Sequence, residues 1–298
     1  MIRFFTGIFT FILVLVNALF VIFVVTPIGL LRFIPIKPFQ IFILRINEKF
    51  GELYLFFNSR LQDLMHKSKF EVHGQEKLKK DMWQFTTINH LSWADIFVYL
   101  YFCNYRQSVP RIFMKSQLWW LPITWTANLG LAMPFVVRRS KEAIKANPKL
   151  AETDKNATRR ACKMYQIMPT NVGGFIEGTR IDKQKYLASK SKFKNLMPPK
   201  IGGMGYTLEV MPYIDHLTDV TIVYKSDKRS FWNFLCGDLN EASVTINTYE
   251  IPKELRGVDY ADNDEMRDKL KSFLESVWEV KDEIIENEKK KFGIESVF

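Results

Sequence analysis

Between Phe4 and Leu31 the chain carries no charged residue, and Phe, Ile, Val and Leu fill most positions. A bilayer-crossing helix needs about 20 apolar residues, so this segment is long enough for one. The apolar core of a cleaved signal peptide runs to only ~7–15 residues and ends in a small-residue cleavage site. Here Pro27-Ile28-Gly29 leads into Leu30-Leu31-Arg32-Phe33 without such a site. The segment therefore reads as a retained membrane anchor. One basic side chain, Arg3, precedes it, whereas Arg32, Lys37, Arg45 and Lys49 follow. That asymmetry places everything downstream in the cytoplasm. Pro27 and a second apolar patch, Phe33 to Leu44, also permit a helical hairpin dipped into one leaflet. The sequence leaves both arrangements open. The expected organisation is an anchor over residues 1–45 and a catalytic domain over 46–298.

The rest of the chain alternates strand and helix patterns. Residues 45–66 carry Ile46, Phe50, Leu53, Leu55, Phe56 and Leu61 near helical spacing. Lys69 to His73, Trp83 to Asn89, Phe135 to Val137, Val172 to Ile176, Val220 to Tyr224 and Ala242 to Tyr249 read as strands. A C-terminal helix is expected over residues 263–291, with Leu270, Leu274, Val277 and Trp278 in its apolar stripe. Strands separated by helices predict an α/β fold with a mixed, largely parallel sheet flanked by helices. Chemistry in such sheets collects at the carboxyl ends of strands.

Lys and Arg number 42 against 32 Asp and Glu, a net charge of +10. This favours an anionic partner, and the apolar segment points to membrane lipid. No nucleic-acid recognition motif accompanies the basic residues, so no nucleic-acid partner is expected. Cys103, Cys162 and Cys236 are too few and too scattered for a disulfide framework or a zinc site. No metal is implied.

Asn89-His90-Leu91-Ser92-Trp93-Ala94-Asp95 follows the second strand. A histidine with an aspartate can draw a proton from an alcohol near neutral pH. Five residues on a helix turn through roughly 500°, leaving two side chains about 140° apart. The pair can meet only if His90 sits in a loop and Asp95 in the first turn of the next helix. Ser92 is a suitable N-cap for such a helix, with Trp93 opening it. Ser92-x-x-Asp95 is equally a capping box, in which Asp95 would only finish a helix terminus. A second cluster, Phe175-Ile176-Glu177-Gly178-Thr179-Arg180, also follows a strand. Gly178 permits a sharp turn, Thr179 offers a hydroxyl, and Arg180 offers a planar charged fork suited to phosphate. Glu177 can hold that arginine or a loop amide.

Together the two clusters resemble the motifs of the PlsC-like glycerolipid acyltransferases, the lysophosphatidic acid acyltransferase superfamily. Its first motif reads Asn-His-x-x-x-x-Asp and its third Phe-Pro-Glu-Gly-Thr-Arg, with Ile176 here in place of the proline. Lys115 through Gly130 to Arg138-Arg139 is similar to the second block. Asp219 to Tyr224, without a proline, stands for the fourth. That absence and Pro198-Pro199-Lys200 resemble the branch of YihG-type and lysocardiolipin acyltransferases. The resemblance implies transfer of a fatty acyl group from acyl-CoA or acyl carrier protein, as co-substrate, to a lysophospholipid hydroxyl. It implies no further cofactor and, as setting, a bacterial inner membrane with the catalytic domain facing the cytoplasm. The acceptor it points to first is 1-acyl-sn-glycerol 3-phosphate, with lysocardiolipin or another lysophospholipid as the alternative. A catalytically inactive membrane scaffold is a more distant alternative. His90 would be the general base and Asp95 its partner. Substrate contacts would come from Asn89, Lys115, Glu177, Gly178, Thr179 and Arg180. Arg138 and Arg139 suit phosphate, CoA or headgroups, or else form a solvated strand end.

Overall fold

The computed structural model describes residues 1–104, 106–112, 162–261 and 263–297, and between 113 and 161 only 114–115, 126, 129–131, 135–136, 153, 156 and 159–160. Helix α1 (Ile2–Phe20), a π turn (Val21–Val25), α2 (Thr26–Leu30) and a 3-10 turn (Leu31–Phe33) form one continuous helical run. Pro27 accounts for the π turn: it lacks an N–H, and its ring crowds the carbonyl one turn back. The Thr26 amide reaches back to the Val21 carbonyl instead. Helix α3 (Lys37–His66) then returns antiparallel to this run. Phe20 packs edge-on to Phe50 and Phe57, and Asn17 donates to the Tyr54 carbonyl at 3.4 Å. Thirty residues of unbroken helix carry the expected boundary at residue 45 into the middle of α3.

The face of α3 that meets the domain keeps Leu55 and Leu61 of the apolar set but is more polar than the spacing suggested. Ile46, Phe50, Leu53 and Phe56 are only half-buried, whereas Asn47, Asn58, Ser59 and Gln62 are buried. The reason is that α3 meets backbone carbonyls. Asn47 donates to Gly130 at 2.7 Å, and Asn58 and Gln62 both donate to Phe97 at 3.1 and 2.8 Å. These amides satisfy groups that would be costly to bury unpaired.

The main sheet holds β1 (Lys69–His73), β2 (Gln84–Ile88), β3 (Pro110–Ile112), β6 (Asn171–Gly174), β7 (His216–Tyr224) and β8 (Glu241–Glu250). Their order is β1-β8-β7-β2-β6-β3, parallel throughout except for the β7–β8 pair. Two short strands, β4 (Met114–Lys115) and β5 (Phe135–Val136), pair separately. The other α-helices with described bounds are α4 (Asp95–Cys103), α5 (Lys183–Ser189), α6 (Ile201–Val210), α7 (Phe231–Leu235) and α8 (Asp264–Phe292).

Helices cover both faces of the sheet. Asp219 and Tyr224 lie five residues apart on β7, so their side chains point to opposite faces. Asp219 meets Lys281 of α8 at 2.8 Å, and the Tyr224 hydroxyl meets Asp95 of α4 at 2.9 Å. Helix α8 therefore packs on one face and α4, backed by α3, on the other. The ends of α8 follow from its sequence. Asn263 accepts from the Met266 amide at 3.0 Å, and Gly293 takes the left-handed conformation that closes the helix. Its stripe includes one residue the pattern does not anticipate, the fully buried Lys281.

Candidate active site

Strands β7, β2 and β6 are adjacent and parallel, so their carboxyl ends open on the same edge. Three loops meet there: Asn89 to Ala94 after β2, Phe175 to Ile181 after β6, and the end of β7 at Tyr224. Asn89 ties the first loop to β7. Its amide nitrogen donates to the Ile222 carbonyl and its oxygen accepts the Ile222 N–H, both at 2.8 Å. The side chain is fully buried and both its amide groups are bonded to β7, which orients the histidine loop.

His90 and Asp95 meet across this loop, with Nδ1 at 3.0 Å from Oδ2. The same carboxylate oxygen accepts the Leu91 N–H at 2.7 Å and the Ser92 N–H at 2.8 Å. Tyr224 donates its hydroxyl to the other oxygen at 2.9 Å. Four groups thus converge on one buried carboxylate. Three are fixed donors or best placed as donors, so the imidazole also donates, from Nδ1–H. That tautomer leaves a lone pair on Nε2, which makes no hydrogen bond among the described residues. The ring stacks on Phe175, centroids 3.9 Å apart, and 13% of the side chain remains accessible.

Helix α4 starts at Asp95, two residues later than Trp93, where the N-cap reading placed it. Ser92 makes a turn ahead of the helix: its carbonyl accepts the Asp95 N–H at 3.3 Å and its hydroxyl the Ala94 N–H at 3.1 Å. The hydroxyl also donates to the Arg229 carbonyl at 2.6 Å. Buried and doubly engaged, it is not placed to act as a nucleophile.

The second loop leaves β6 at Gly174, earlier than the expected strand end at Ile176. Gly178 has φ +80°, a left-handed backbone that favours glycine. Glu177 points inward and is 1% exposed. It accepts the His90 N–H at 2.9 Å and the Met197 N–H at 3.3 Å. Burial pushes its carboxyl up to about 7, against the pull of those amides and of Lys281. Glu177 thus holds loop amides, one of the two roles its place in the sequence allowed. The Ile181 N–H donates to the His90 carbonyl at 2.9 Å, so both backbone groups of His90 are held by this loop. Arg180 is exposed, its guanidinium 5.2 Å over the ring of the exposed Trp93. Thr179 is half-buried between Gly178 and Arg180. Lys115 is placed by its backbone alone, on β4, and Arg138 and Arg139 lie outside the described residues.

Sequence reasoning placed Tyr224 and Lys200 in motif blocks but gave neither a role at this edge. Tyr224 ends a strand whose alternation gives its face, but its partner lies 129 positions away. Burial and the Asp95 carboxylate push its phenol up, which keeps it a donor. Lys200 lies over Gly178, its Nζ 2.8 Å from where a Cβ there would stand.

Chemically, the edge offers an accessible imidazole lone pair backed by a carboxylate, with exposed cations beside it. The acyltransferase family model matches residues 69–225, more than half of the chain. Among solved structures, the chain is similar to the 1-acyl-sn-glycerophosphate (LPA) acyltransferase PlsC from Thermotoga maritima. The two are 15% identical, with a TM-score of 0.51 over 97% of this chain and 98% of that one, a likeness of fold. No curated protein matches the sequence. Both motif loops fall inside the matched segment, and the chain belongs to the acyltransferase family.

Proposed function

We propose that the protein transfers a fatty acyl group from acyl-CoA or acyl carrier protein to the free hydroxyl of 1-acyl-sn-glycerol 3-phosphate, giving phosphatidic acid. The observation that carries this reading is the His90–Asp95 pair at the open edge of the sheet, with Arg180 on the adjoining loop. His90 Nε2 takes the proton as the acceptor oxygen attacks the thioester carbonyl. Asp95 stabilises the imidazolium so formed, in the manner of a hydrolase triad. The carbon–sulfur bond then breaks, and the imidazolium returns its proton to the thiolate. The thioester is already activated, so no protein nucleophile is required. The name of the Thermotoga neighbour supports the acceptor chosen.

The test is a panel of lysophospholipid acceptors with one labelled acyl-CoA, run on the purified protein and on Arg180→Ala. Phosphatidic acid is the expected main product. Arg180→Ala is expected to raise the acceptor KM about tenfold or more, a lost charged hydrogen bond being worth ~1.5–3 kcal/mol. The donor KM is expected to stay within about twofold, as no such contact is lost there. An equal effect on both substrates would contradict the headgroup role of Arg180.

The N-terminal hairpin supports a seat on one leaflet. Among the described residues, Ile2–Phe33 is long and apolar enough to cross a membrane. Yet both of its ends rest on the catalytic domain. Arg3 pairs with Asp238 and donates to Asn233 at 2.7 Å, and Gly7 lies against Trp232. At the other end Thr26 donates to the Thr126 carbonyl at 3.1 Å and Arg32 to that of Leu129. A helix held at both ends by one domain lies along that domain, and Phe4, Phe5, Phe9, Ile12, Leu15 and Phe23 are left exposed on it. This is the pattern of an interfacial helix with its apolar side in the lipid. Replacing Phe5, Phe9 and Ile12 together by lysine is expected to release the protein from liposomes in a flotation assay. Full retention would contradict this seat.

A further inference from the structure

We propose that Lys200 is the second cation of an anion subsite that it forms with Arg180, and that this subsite selects acceptors whose headgroup is a phosphomonoester. This rests on the acyl-transfer reading and deepens it. The Lys200 N–H donates to the Ile176 carbonyl at 2.8 Å, so its backbone is pinned to the loop that carries Glu177, Gly178 and Arg180. From there the side chain runs across Gly178. Its Cδ, Cε and Nζ lie 3.0, 3.3 and 2.8 Å from where a Cβ on that glycine would stand. Glycine at 178 therefore serves two ends, the left-handed turn and the passage of the lysine. Arg180 is two residues further on, at most about 7 Å along the chain.

The acids of this loop leave both cations uncompensated. Glu177 is turned into the protein, where it accepts the amides of His90 and Met197. Asp182 caps α5, accepting the Lys185 N–H at 2.9 Å, and pairs with the Lys185 ammonium at 2.6 Å. Neither Lys200 nor Arg180 pairs with a carboxylate among the described residues, and both are exposed. Two cations without a carboxylate partner among the described residues, both held at the loop that also fixes His90, suit a group of high negative charge. A phosphomonoester carries about −1.5 to −2 near neutral pH, as its second pKa lies near 6. A phosphodiester headgroup carries about one charge less, having no second ionisation. The second cation thus adds most to the monoester.

The same phosphate chemistry is present on the donor, since CoA carries phosphates of its own, and the experiment separates the two sources. Wild type, Lys200→Met and Lys200→Arg would be assayed with a lysophosphatidic acid and with a lysophosphatidylglycerol, using one acyl-CoA. Each would be assayed again with a phosphate-free acyl thioester as donor. Lys200→Met is expected to lower kcat/KM about tenfold on the monoester and less than about twofold on the diester, with either donor, and Lys200→Arg to restore most of the loss. An equal loss on both acceptors, a loss confined to the acyl-CoA donor, or no loss overturns the proposal. Failure of the wild type to acylate either acceptor would overturn the acyl-transfer reading itself, and this proposal with it.

Discussion

His90→Ala is expected to lower acyl transfer by about a thousandfold, the middle of the range for a lost general base. The protein should remain folded and membrane-bound. The structure separates what His90 does with its ring from what it does with its backbone. The loop is held by the His90 N–H on Glu177 and the His90 carbonyl on Ile181, and alanine keeps both. Asp95 would still accept from Leu91, Ser92 and Tyr224. The lost side-chain contacts are the stack on Phe175 and one hydrogen bond at a partly accessible site. A stability cost of ~1–2 kcal/mol is expected, visible as a small drop in Tm. The decisive measurement is single-turnover acyl transfer with and without added imidazole. Partial rescue by imidazole would mark the missing base, and near-normal turnover without it would sink the assignment.

What the sequence revealed, and what it concealed, follows from the range over which its signals act. Helix α8 was readable almost to the residue, because a cap at Asn263, an apolar stripe and a glycine at 293 are local features. The meeting of Asn89–Asp95 with Glu177–Arg180 was readable because each cluster follows a parallel strand, and parallel neighbours deliver their carboxyl ends to one edge. The roles inside the site were less accessible. Asn89 and Glu177 serve backbone groups of distant segments, Ile222 for one and His90 and Met197 for the other, and no spacing within a motif names those partners. Lys281 shows the same limit. Periodicity places it in the apolar stripe of α8, but only its pairing with Asp219, 62 residues away, explains a charge there. The polar inner face of α3 belongs to this class too, as no spacing rule foretells which helix will meet exposed carbonyls.

Asp95→Asn is expected to lower kcat by on the order of 10³–10⁴, with little change in either KM, by analogy with the buried aspartate of a hydrolase triad. The hydrogen-bond pattern makes this substitution an unusually clean test of charge. Oδ2 receives three donors, from His90 Nδ1, Leu91 and Ser92. Among the described residues, Oδ1 receives only the Tyr224 hydroxyl. An asparagine would keep its oxygen toward the three donors and turn its NH2 toward Tyr224, whose hydroxyl can rotate to accept. The loop, the first turn of α4 and the Nδ1–H tautomer would all survive. What disappears is the negative charge beside the imidazolium that forms as the acceptor alcohol gives up its proton. The turn through Leu91 and Ser92 and the catalytic pair both use this side chain, but they ask different things of it. The turn needs an acceptor, which the amide oxygen supplies, whereas a base needs a counter-charge, which it does not. An unchanged Tm with kcat reduced a thousandfold would place Asp95 in the chemistry. An unchanged kcat would leave it as a helix terminus alone, and would remove the stabilising partner that the proposed mechanism gives His90.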